Sequence, residues 1–192
     1  GLCQLDIPEK RFKFLYDAAI RSLILHSPLD VYPGPYTYKR FWFRDAAFIL
    51  HTMLCVGMSA RGKKSIDRFP SRQTAGGYFL SQDGEWDSNG EALWTMRRFC
   101  ELTGTPPDPK WRGPVYRGVA WLRAKRIKKF KSPYLGLLPI GFSAEHLGPN
   151  DFYYWDDFWS IAGLRGASRL MNAYGDGAAA QEFSDEADDL QR

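Results

Sequence analysis

Hydrophobic residues recur along most of this chain with the period of an α-helix. Residues 10–25 place apolar side chains three and four positions apart, as on one face of a helix, and Pro28 ends the pattern. Residues 45–56 are apolar almost all the way round, which is typical of a helix buried on every side. Asp45 suits the N-cap of that second helix, because its carboxylate can accept hydrogen bonds from free backbone N–H groups.

Five later segments complete a predicted set of seven helices: residues 61–73, 91–102, 114–130, 158–174 and 178–192. Pro70 should kink or shorten the first of these segments, and Gly104 follows the end of the second. Pro114 suits the first turn of the third, where its missing N–H is tolerated. No segment shows the sustained alternation of a strand, so the sequence predicts an all-α fold in one domain, residues 1–192.

Three long loops between these helices combine aromatic residues with carboxylates. They are YPGPYTYKRFWFRD at residues 32–45, GGYFLSQDGEWDSNG at 76–90 and YLGLLPIGFSAEHLGPNDFYYWDD at 134–157. Each loop leads into a predicted helix. If those helices begin at one end of the array, the loops meet on a single rim, where functional loops commonly gather on a rigid scaffold.

Composition and charge argue against a membrane protein or a nucleic-acid-binding protein. The chain is 44% hydrophobic and 25% charged, which is ordinary for a globular domain. No apolar run approaches the roughly 18 residues that a membrane span needs. The net charge is +4, and the basic cluster at residues 123–131 is more typical of a solvated helix face than of a nucleic-acid patch. We therefore expect no membrane and no nucleic-acid partner.

The cysteines and the chain ends bear on compartment and completeness. Cys3, Cys55 and Cys100 are odd in number, and the last two lie in apolar periodic segments, so we expect buried free thiols rather than disulfides. Free thiols favour a reducing compartment, here the cytoplasm, although a removed signal peptide stays an open alternative. The chain opens on Gly1 without an initiator Met and closes at Arg192 within a helical pattern. We therefore expect a fragment of a longer protein.

Three motifs carry a resemblance to a known superfamily. FWFRDAAFIL at residues 41–50, GEWDSNGEALW at 84–94 and YYWDDFWSIAGLRGASRL at 153–170, in this order, resemble the rim motifs of six-hairpin glycosidases. The most similar members are glucoamylase-like glycoside hydrolases, and the resemblance spans residues 36–170. It implies helical hairpins closed into an (α/α)6 toroid with a sugar pocket at one end. This chain would supply only about half of the barrel, and the catalytic base would lie in the missing C-terminal half.

Asp156 and Asp157 are the candidate catalytic residues. Glycoside hydrolysis needs a protonated carboxyl group to assist the leaving oxygen and a carboxylate that activates water or attacks. An aromatic environment and an adjacent carboxylate both raise the pKa of a carboxyl group, and these aspartates lie within DFYYWDDFW. By the resemblance, Asp156 takes the position of the general acid, which is a glutamate in glucoamylase-like enzymes. The alternative is that both aspartates only cap a helix beginning at Phe158.

The first two motifs and the aromatic residues of the third supply candidate sugar contacts. Arg44 and Asp45 can donate to and accept from adjacent sugar hydroxyls, as such a pair does in related barrels; the alternative is an N-cap with a local ion pair. Trp42 could stack on a pyranose face or pack beneath the rim. The remaining candidate substrate-binding residues are Trp86, Asp87, Asn89, Tyr154 and Trp155. For the second motif, the alternative is a turn followed by a helix cap.

Adjacent Glu145 and His146 resemble a metal site or an acid–base pair. Neighbouring residues rarely bind one ion, and no third ligand has suitable spacing. The sequence therefore predicts no metal site and no cofactor.

The function predicted by the motifs is an inverting glycoside hydrolase with a glucoside-like carbohydrate as its substrate. The chemistry follows from the paired carboxyl groups, and the substrate class follows from the resemblance. Two kinds of alternative stay open. One is a non-catalytic carbohydrate-binding protein or a degenerate helical array, and the other is a glycoside phosphorylase or sugar epimerase on a similar toroid. The oligomeric state is not indicated by the sequence.

Overall fold

The computed structural model describes residues 2–128, 132–145 and 148–192, and α-helices joined by long loops make up most of them. The seven α-helices are α1 (Lys10–Leu25), α2 (Phe43–Cys55), α3 (Ser59–Ile66), α4 (Ser88–Thr103), α5 (Arg112–Lys125), α6 (Tyr154–Ala173) and α7 (Gly177–Gln191). Within these ranges β-type pairing is limited to two isolated bridges, so the predicted all-α class is confirmed. No helix of the described residues is both long and apolar enough to cross a membrane.

Helices α2 and α4 run side by side in the same direction. Arg44 near the start of α2 forms an ion pair with Asp87 at the start of α4. His51 near the end of α2 faces Trp94 further along α4, with ring centroids 5.3 Å apart. The first turns of both helices therefore lie at the same end of the molecule.

Helix α6 lies parallel to α4 and crosses it closely at a pair of glycines. A Cβ added at Gly163 of α6 would lie 2.5 Å from the Cα of Gly90, and one added at Gly90 would overlap the backbone carbonyl of Trp159. Further along both helices, Gly166 meets the backbone of Leu93. Glycine is needed at the crossing because any larger residue would separate the two backbones. The first turns of α2, α4 and α6 thus share one end.

Helices α5 and α7 form a second layer against α4 and α6. Asn89 at the start of α4 donates to the Gly118 carbonyl well into α5, whereas Phe99 near the end of α4 packs edge-on against Trp111, just before α5. Helix α5 therefore runs opposite to α4. Helix α7 returns along α6 after a turn at Gly175, whose left-handed φ of 77° favours glycine.

Two arginines of the basic cluster, Arg123 and Arg126, tie the end of α5 to α7 rather than lying on a solvated face. Arg126 and Glu186 lie 2.7 Å apart, and their side chains are 11% and 14% exposed. Arg123 reaches the same carboxylate at 2.8 Å. Helix α7 carries the acidic residues that face these two arginines, so both are paired across the helices. Residues 129–131 lie outside the described residues.

The chain leaves α5 earlier than its sequence predicted. The Ile127 N–H donates to the Leu137 carbonyl at 2.9 Å, and the Ile127 carbonyl accepts from the Gly136 N–H at 3.0 Å. These bonds replace the intrahelical ones, so α5 ends at Lys125 and not at Phe130.

Two helix starts also differ from prediction, and both affect the candidate site. Helix α2 begins at Phe43 with Trp42 at the N-cap, so the prediction that Asp45 is the N-cap was wrong; Asp45 lies in the first turn. Helix α6 begins at Tyr154, before the predicted start at Phe158. The third predicted helix is shortened, as expected, into α3 and a 3-10 turn at residues 69–72.

Burial of α2 and of the cysteines is less complete than predicted. Phe48 of α2 is 50% exposed, so this helix is not buried on every side. All three cysteines are free, as expected, but Cys3 and Cys55 are exposed and Cys100 is half-buried. Helix α1 likewise buries no residue completely.

The glycine crossing predicts a large effect of one added methyl group. Gly90→Ala should destabilise the protein by about 1–3 kcal/mol through steric overlap, although alanine favours a helix interior by about 1 kcal/mol. The matched control is Gly177→Ala at the start of α7, where an added Cβ meets nothing within 4 Å. Chemical denaturation of both variants measures the difference. Equal stability of the two would contradict the close crossing.

Candidate functional site

The first turns of the three parallel helices bring an arginine, two carboxylates and an indole into one network. The Arg44 guanidinium lies 3.3 Å from Glu85 Oε2 and 3.4 Å from Asp87 Oδ2. The Trp155 indole N–H donates to the same Asp87 oxygen at 2.8 Å. Both carboxylates are buried, and the Arg44 side chain is 16% exposed. Residues from three separate motifs therefore meet in space, largely shielded from solvent.

Asp156 lies beside this network with an unpaired carboxyl oxygen. The residue is 3% exposed, and its Oδ2 has no hydrogen-bond partner among the described residues. Burial, and then the charge of Asp87, raise the pKa of Asp156 to about 8. Asp157 and Glu85 add to this effect, and Arg44 opposes it. A carboxyl group with this pKa holds a proton at neutral pH and can donate it.

Asp157, the next residue, has a different environment. Its Oδ1 accepts a hydrogen bond from the backbone N–H of Leu138 at 3.0 Å. Burial raises the pKa of Asp157, while the Leu138 hydrogen bond and the charge of Arg126 lower it, and the result remains above the ordinary value. Asp157 thus holds the preceding loop against α6.

The early start of α6 explains why neighbouring side chains in this stretch diverge. Successive side chains on a helix point about 100° apart. Tyr154 is 68% exposed and stacks on Phe158, one turn later, with centroids 6.1 Å apart. Tyr154 and Asp157 line a different cavity of about 510 Å³, so Tyr154 does not join the network around Asp156. The N-cap of α6 is Tyr153, and both aspartates lie within the first helical turn. The alternative that they only cap a helix beginning at Phe158 is therefore wrong, because the helix begins at Tyr154.

A cavity of about 310 Å³ opens beside Arg44, with Tyr38, Trp42, Asp45 and Glu145 among its walls. The Trp42 Nε1 is buried and has no hydrogen-bond partner within the described part of the chain. Burial raises the pKa of Asp45, and the charge of Arg44 opposes that effect without cancelling it. The cavity therefore offers a guanidinium and carboxyl groups to a polar ligand.

The Trp42 ring is less suited to stacking than its sequence position indicated. The Arg40 guanidinium lies over the ring at 4.6 Å from the centroid. This cation covers one ring face, and Tyr38 lies nearby at 6.3 Å between centroids. The indole N–H is itself buried, so Trp42 offers a ligand only the part of its ring that lines the cavity.

Asn89 serves the scaffold, which contradicts its prediction as a substrate contact. Its side-chain oxygen accepts from the Phe79 N–H at 2.8 Å. Its side-chain nitrogen donates to the carbonyls of Gly77 at 3.0 Å and Gly118 at 2.9 Å. The residue is completely buried, so no donor remains for a sugar.

Trp86 is likewise part of a small core and not of an open rim. It is 8% exposed, and its indole N–H donates to the Ile140 carbonyl at 3.1 Å. The Lys125 ammonium lies 3.5 Å from the ring centroid, and Tyr78 packs at 5.9 Å between centroids. A sugar has no free ring face to stack on, so the prediction of Trp86 as a substrate contact was wrong.

Glu91 is a site residue that the motif analysis did not single out. It lies one turn after Asp87 on α4, is completely buried, and neither carboxyl oxygen has a hydrogen-bond partner among the described residues. Burial, and then the charge of Asp87, raise the pKa of Glu91 well above its usual range. The sequence feature that could have identified Glu91 is its position four residues after Asp87, which places both side chains on one helix face.

The metal alternative finds no support in the described geometry. In residues 2–128, 132–145 and 148–192, no group of three or more His, Cys, Asp and Glu side chains is arranged to hold a metal ion. Glu145 borders the cavity beside Arg44, whereas His146 lies outside the described residues. Glu145 therefore belongs with the carboxyl groups of the cavity.

Comparisons with protein-family models, with curated proteins and with solved structures each find no match to this chain. The interpretation of the site therefore depends on its own geometry and on the motif resemblance. Both concern the same end of the molecule, where α2, α4 and α6 begin.

The raised pKa of Asp156 predicts a pH-dependent gain in stability on its removal. A raised carboxyl pKa contributes stability that is present below the unfolded value near 4 and is lost as the pH rises through about 8. Asp156→Asn avoids this loss, so at about pH 9 it should be more stable than the wild type by at least ~1.4 kcal/mol. At pH 4 we expect no such gain.

Denaturant titrations at both pH values measure this effect. The control is Asp176→Asn, because hydrogen bonds from Tyr116 and Arg112 lower the pKa of Asp176; its pH dependence therefore lies below about pH 4, and its stability relative to the wild type should barely change between pH 4 and pH 9. If Asp156→Asn were equally destabilised at both pH values, Asp156 would be an ordinary ionised carboxylate.

Proposed function

We propose that this chain forms the general-acid and sugar-binding side of a glycoside hydrolase site, inverting in mechanism and specific for neutral, glucoside-like carbohydrates. The proposal is carried by the buried Asp156 carboxyl group, protonated at neutral pH, beside the network of Arg44, Asp87 and Trp155. This combination supplies a proton donor next to fixed hydrogen-bonding groups. The proposal assigns no catalytic base.

Asp156 meets the chemical requirement for a general acid better than its neighbour. The acid must hold a proton at neutral pH and keep an oxygen free to transfer it to the leaving group. Asp156 Oδ2 has no partner among the described residues, whereas Asp157 uses one oxygen to bind the Leu138 N–H. Asp157 is therefore assigned to positioning the loop, and Asp156 to proton donation.

The cavity beside Arg44 suits a polyhydroxylated ligand. A sugar ring presents adjacent hydroxyl groups that both donate and accept, and Arg44 and Asp45 offer complementary groups. Trp155 bonds Asp87 through its indole N–H and is 36% exposed, so part of its ring can contact the ligand. We assign sugar binding to this side of the site.

The proposal includes the architecture that the motifs resemble. Parallel α2, α4 and α6, with α5 and α7 as a second layer, have the alternation of an (α/α) barrel. Their first turns carry the candidate site at one end, where such a barrel would hold its pocket. We propose that these helices form part of an (α/α)6 toroid, about half of its circumference.

Charge favours hydrolysis over phosphorolysis. A phosphorylase must bind phosphate, and Arg44 is already engaged by the carboxylates of Glu85 and Asp87. Asp45 and Glu145 line the same cavity and would repel an anion. A neutral sugar and water meet no such barrier.

The acid also favours an enzyme over a protein that only binds sugar. Keeping an aspartate protonated by burial lowers stability at neutral pH, and a sugar-binding protein would lose nothing by having asparagine there. Strongly perturbed carboxyl groups cluster at catalytic sites.

Sugar binding is tested most directly at Arg44. Arg44→Lys loses the planar set of donors, so the affinity for a methyl glucoside should fall at least tenfold, or about 1.4 kcal/mol. The matched control is Arg112→Lys, an exposed residue at the beginning of α5, at the opposite end of the helix array. Saturation-transfer NMR titrations measure both. Unchanged binding by Arg44→Lys, or equal loss in both variants, would contradict the sugar site.

Proton donation is tested at Asp156 in a preparation with measurable glycosidase activity. Asp156→Asn removes the proton and nearly preserves shape, so the rate on natural glycosides should fall by about 10² to 10⁴. Substrates with an acidic leaving group, such as nitrophenyl glycosides or glycosyl fluorides, need less protonation and should lose much less. Asp157→Asn should lack this dependence on the leaving group. Full turnover of natural glycosides by Asp156→Asn would contradict the assignment.

A further inference from the structure

Glu91 is a completely buried carboxyl group that accepts no hydrogen bond from an N–H or hydroxyl donor of the described residues. It has no exposed surface, and the neighbouring Asp87 carboxyl group is the side chain within hydrogen-bonding reach of it. It lies one turn after Asp87, whose backbone carbonyl accepts the Glu91 N–H at 3.1 Å. A charged group is not left unpaired in a protein interior, because taking up a proton costs far less than burying the charge. Glu91 therefore needs a proton or a cation.

The positive charge that acts on Glu91 is the Arg44 guanidinium, which already pairs with other carboxylates. Helix α2 contributes Arg44 and Asp45, and the start of α4 contributes Asp87, as the charges that act on Glu91. Arg44 favours ionisation of Glu91, but its guanidinium is shared among several carboxyl groups, and Asp87 opposes ionisation more strongly. Helix α6 packs against this turn of α4 and contributes the neutral, unpartnered hydroxyl of Ser160. A proton is thus the compensation that this surrounding allows.

Asp87 has a carboxyl oxygen available for that proton. Arg44 and Trp155 both bond Asp87 Oδ2, at 3.4 Å and 2.8 Å. This leaves Oδ1 to accept a hydrogen bond from a protonated Glu91. Two neighbouring buried carboxyl groups cannot both ionise cheaply, and a pair that holds one proton carries one negative charge. Asp156 of α6 acts on the pair through Asp87.

We propose that Glu91 keeps a proton in the folded protein and shares it with Asp87, and that this hydrogen bond positions Asp87 against Arg44 and Trp155. Glu91 is then a positioning residue that acts through Asp87 and does not touch substrate. The effect of this hydrogen bond on sugar binding rests on the proposed function. The sharing of a proton between Glu91 and Asp87 does not depend on that function.

Infrared spectroscopy of the whole chain detects the proton without any ligand. Labelling the glutamate side-chain carboxyl groups with ¹³C shifts only glutamate bands, so the acid band of Asp156 stays apart. At pH 7 we expect one labelled band from an undissociated carboxylic acid, absent in Glu91→Gln and unchanged in the matched control Glu101→Gln. Glu101 lies on the same helix in ion pairs with Arg97 and Arg98. Absence of a labelled acid band in the wild type would overturn the proposal.

The stability of the same variants gives an independent measure. Between about pH 5 and pH 7, a protonated Glu91 makes the unfolding constant of the wild type rise about tenfold per pH unit relative to Glu91→Gln. Glu101→Gln should show no such trend in this range, because ion pairs with Arg98 and Arg97 lower the pKa of Glu101 despite partial burial, and its pH dependence therefore lies below the unfolded value of about 4.3. Equal pH dependence of the wild type and Glu91→Gln would contradict the proposal.

Asp87→Asn tests whether the proton is shared. Removing the neighbouring charge should let Glu91 ionise at a lower pH, so the labelled acid band should disappear at lower pH than in the wild type. An unchanged titration would show that burial alone holds the proton and would overturn the coupling to Asp87. A normal acid band together with no sugar binding would contradict only the proposed function. Sugar binding without the band would contradict only the present inference.

Discussion

The candidate site depends on one backbone contact, between Gly90 of α4 and Gly163 of α6. Without a Cβ at either position the two helices approach closely and in parallel, so their first turns meet at one end. That approach lets the Trp155 indole reach the Asp87 carboxylate across the helix pair. A wider spacing would break the hydrogen bond and admit water around the carboxyl groups. The electrostatics of the site therefore follow from the packing of two glycines.

Adjacent aspartates at the start of α6 illustrate how helix geometry separates chemical roles. Asp156 faces the carboxyl groups on α4 and keeps an unpaired oxygen, whereas Asp157 faces the loop and accepts the Leu138 N–H. Because successive side chains on a helix point about 100° apart, the two carboxyl groups face different partners. Tyr154, one position before Trp155, points into solvent for the same reason. Acidic and aromatic side chains that are adjacent in the sequence are thus placed in different environments by the helix.

Local patterns predicted the helices well, and long-range partners limited what could be predicted of the site. Apolar spacing and the Gly104 stop identified α1 and α4, because those signals lie within the elements themselves. The start of α6 was missed, since its N-cap Tyr153 offers no side-chain cap. The role of Asn89 depends on carbonyls that lie 12 and 29 residues away in the chain. Burial of Glu91 likewise depends on neighbouring helices that no local spacing reveals.

The parallel direction of α2, α4 and α6 has a consequence for the counter-charge of the site. Each helix N-terminus carries a partial positive charge of about 0.5 of an elementary charge, so the three together supply about 1.5, more than the Arg44 side chain alone. Much of what balances the carboxyl groups is therefore backbone, and it cannot be removed by replacing a side chain. The scaffold can accordingly tolerate exchanges of acid and amide around its rim, so the chemistry of this end can change while the fold persists.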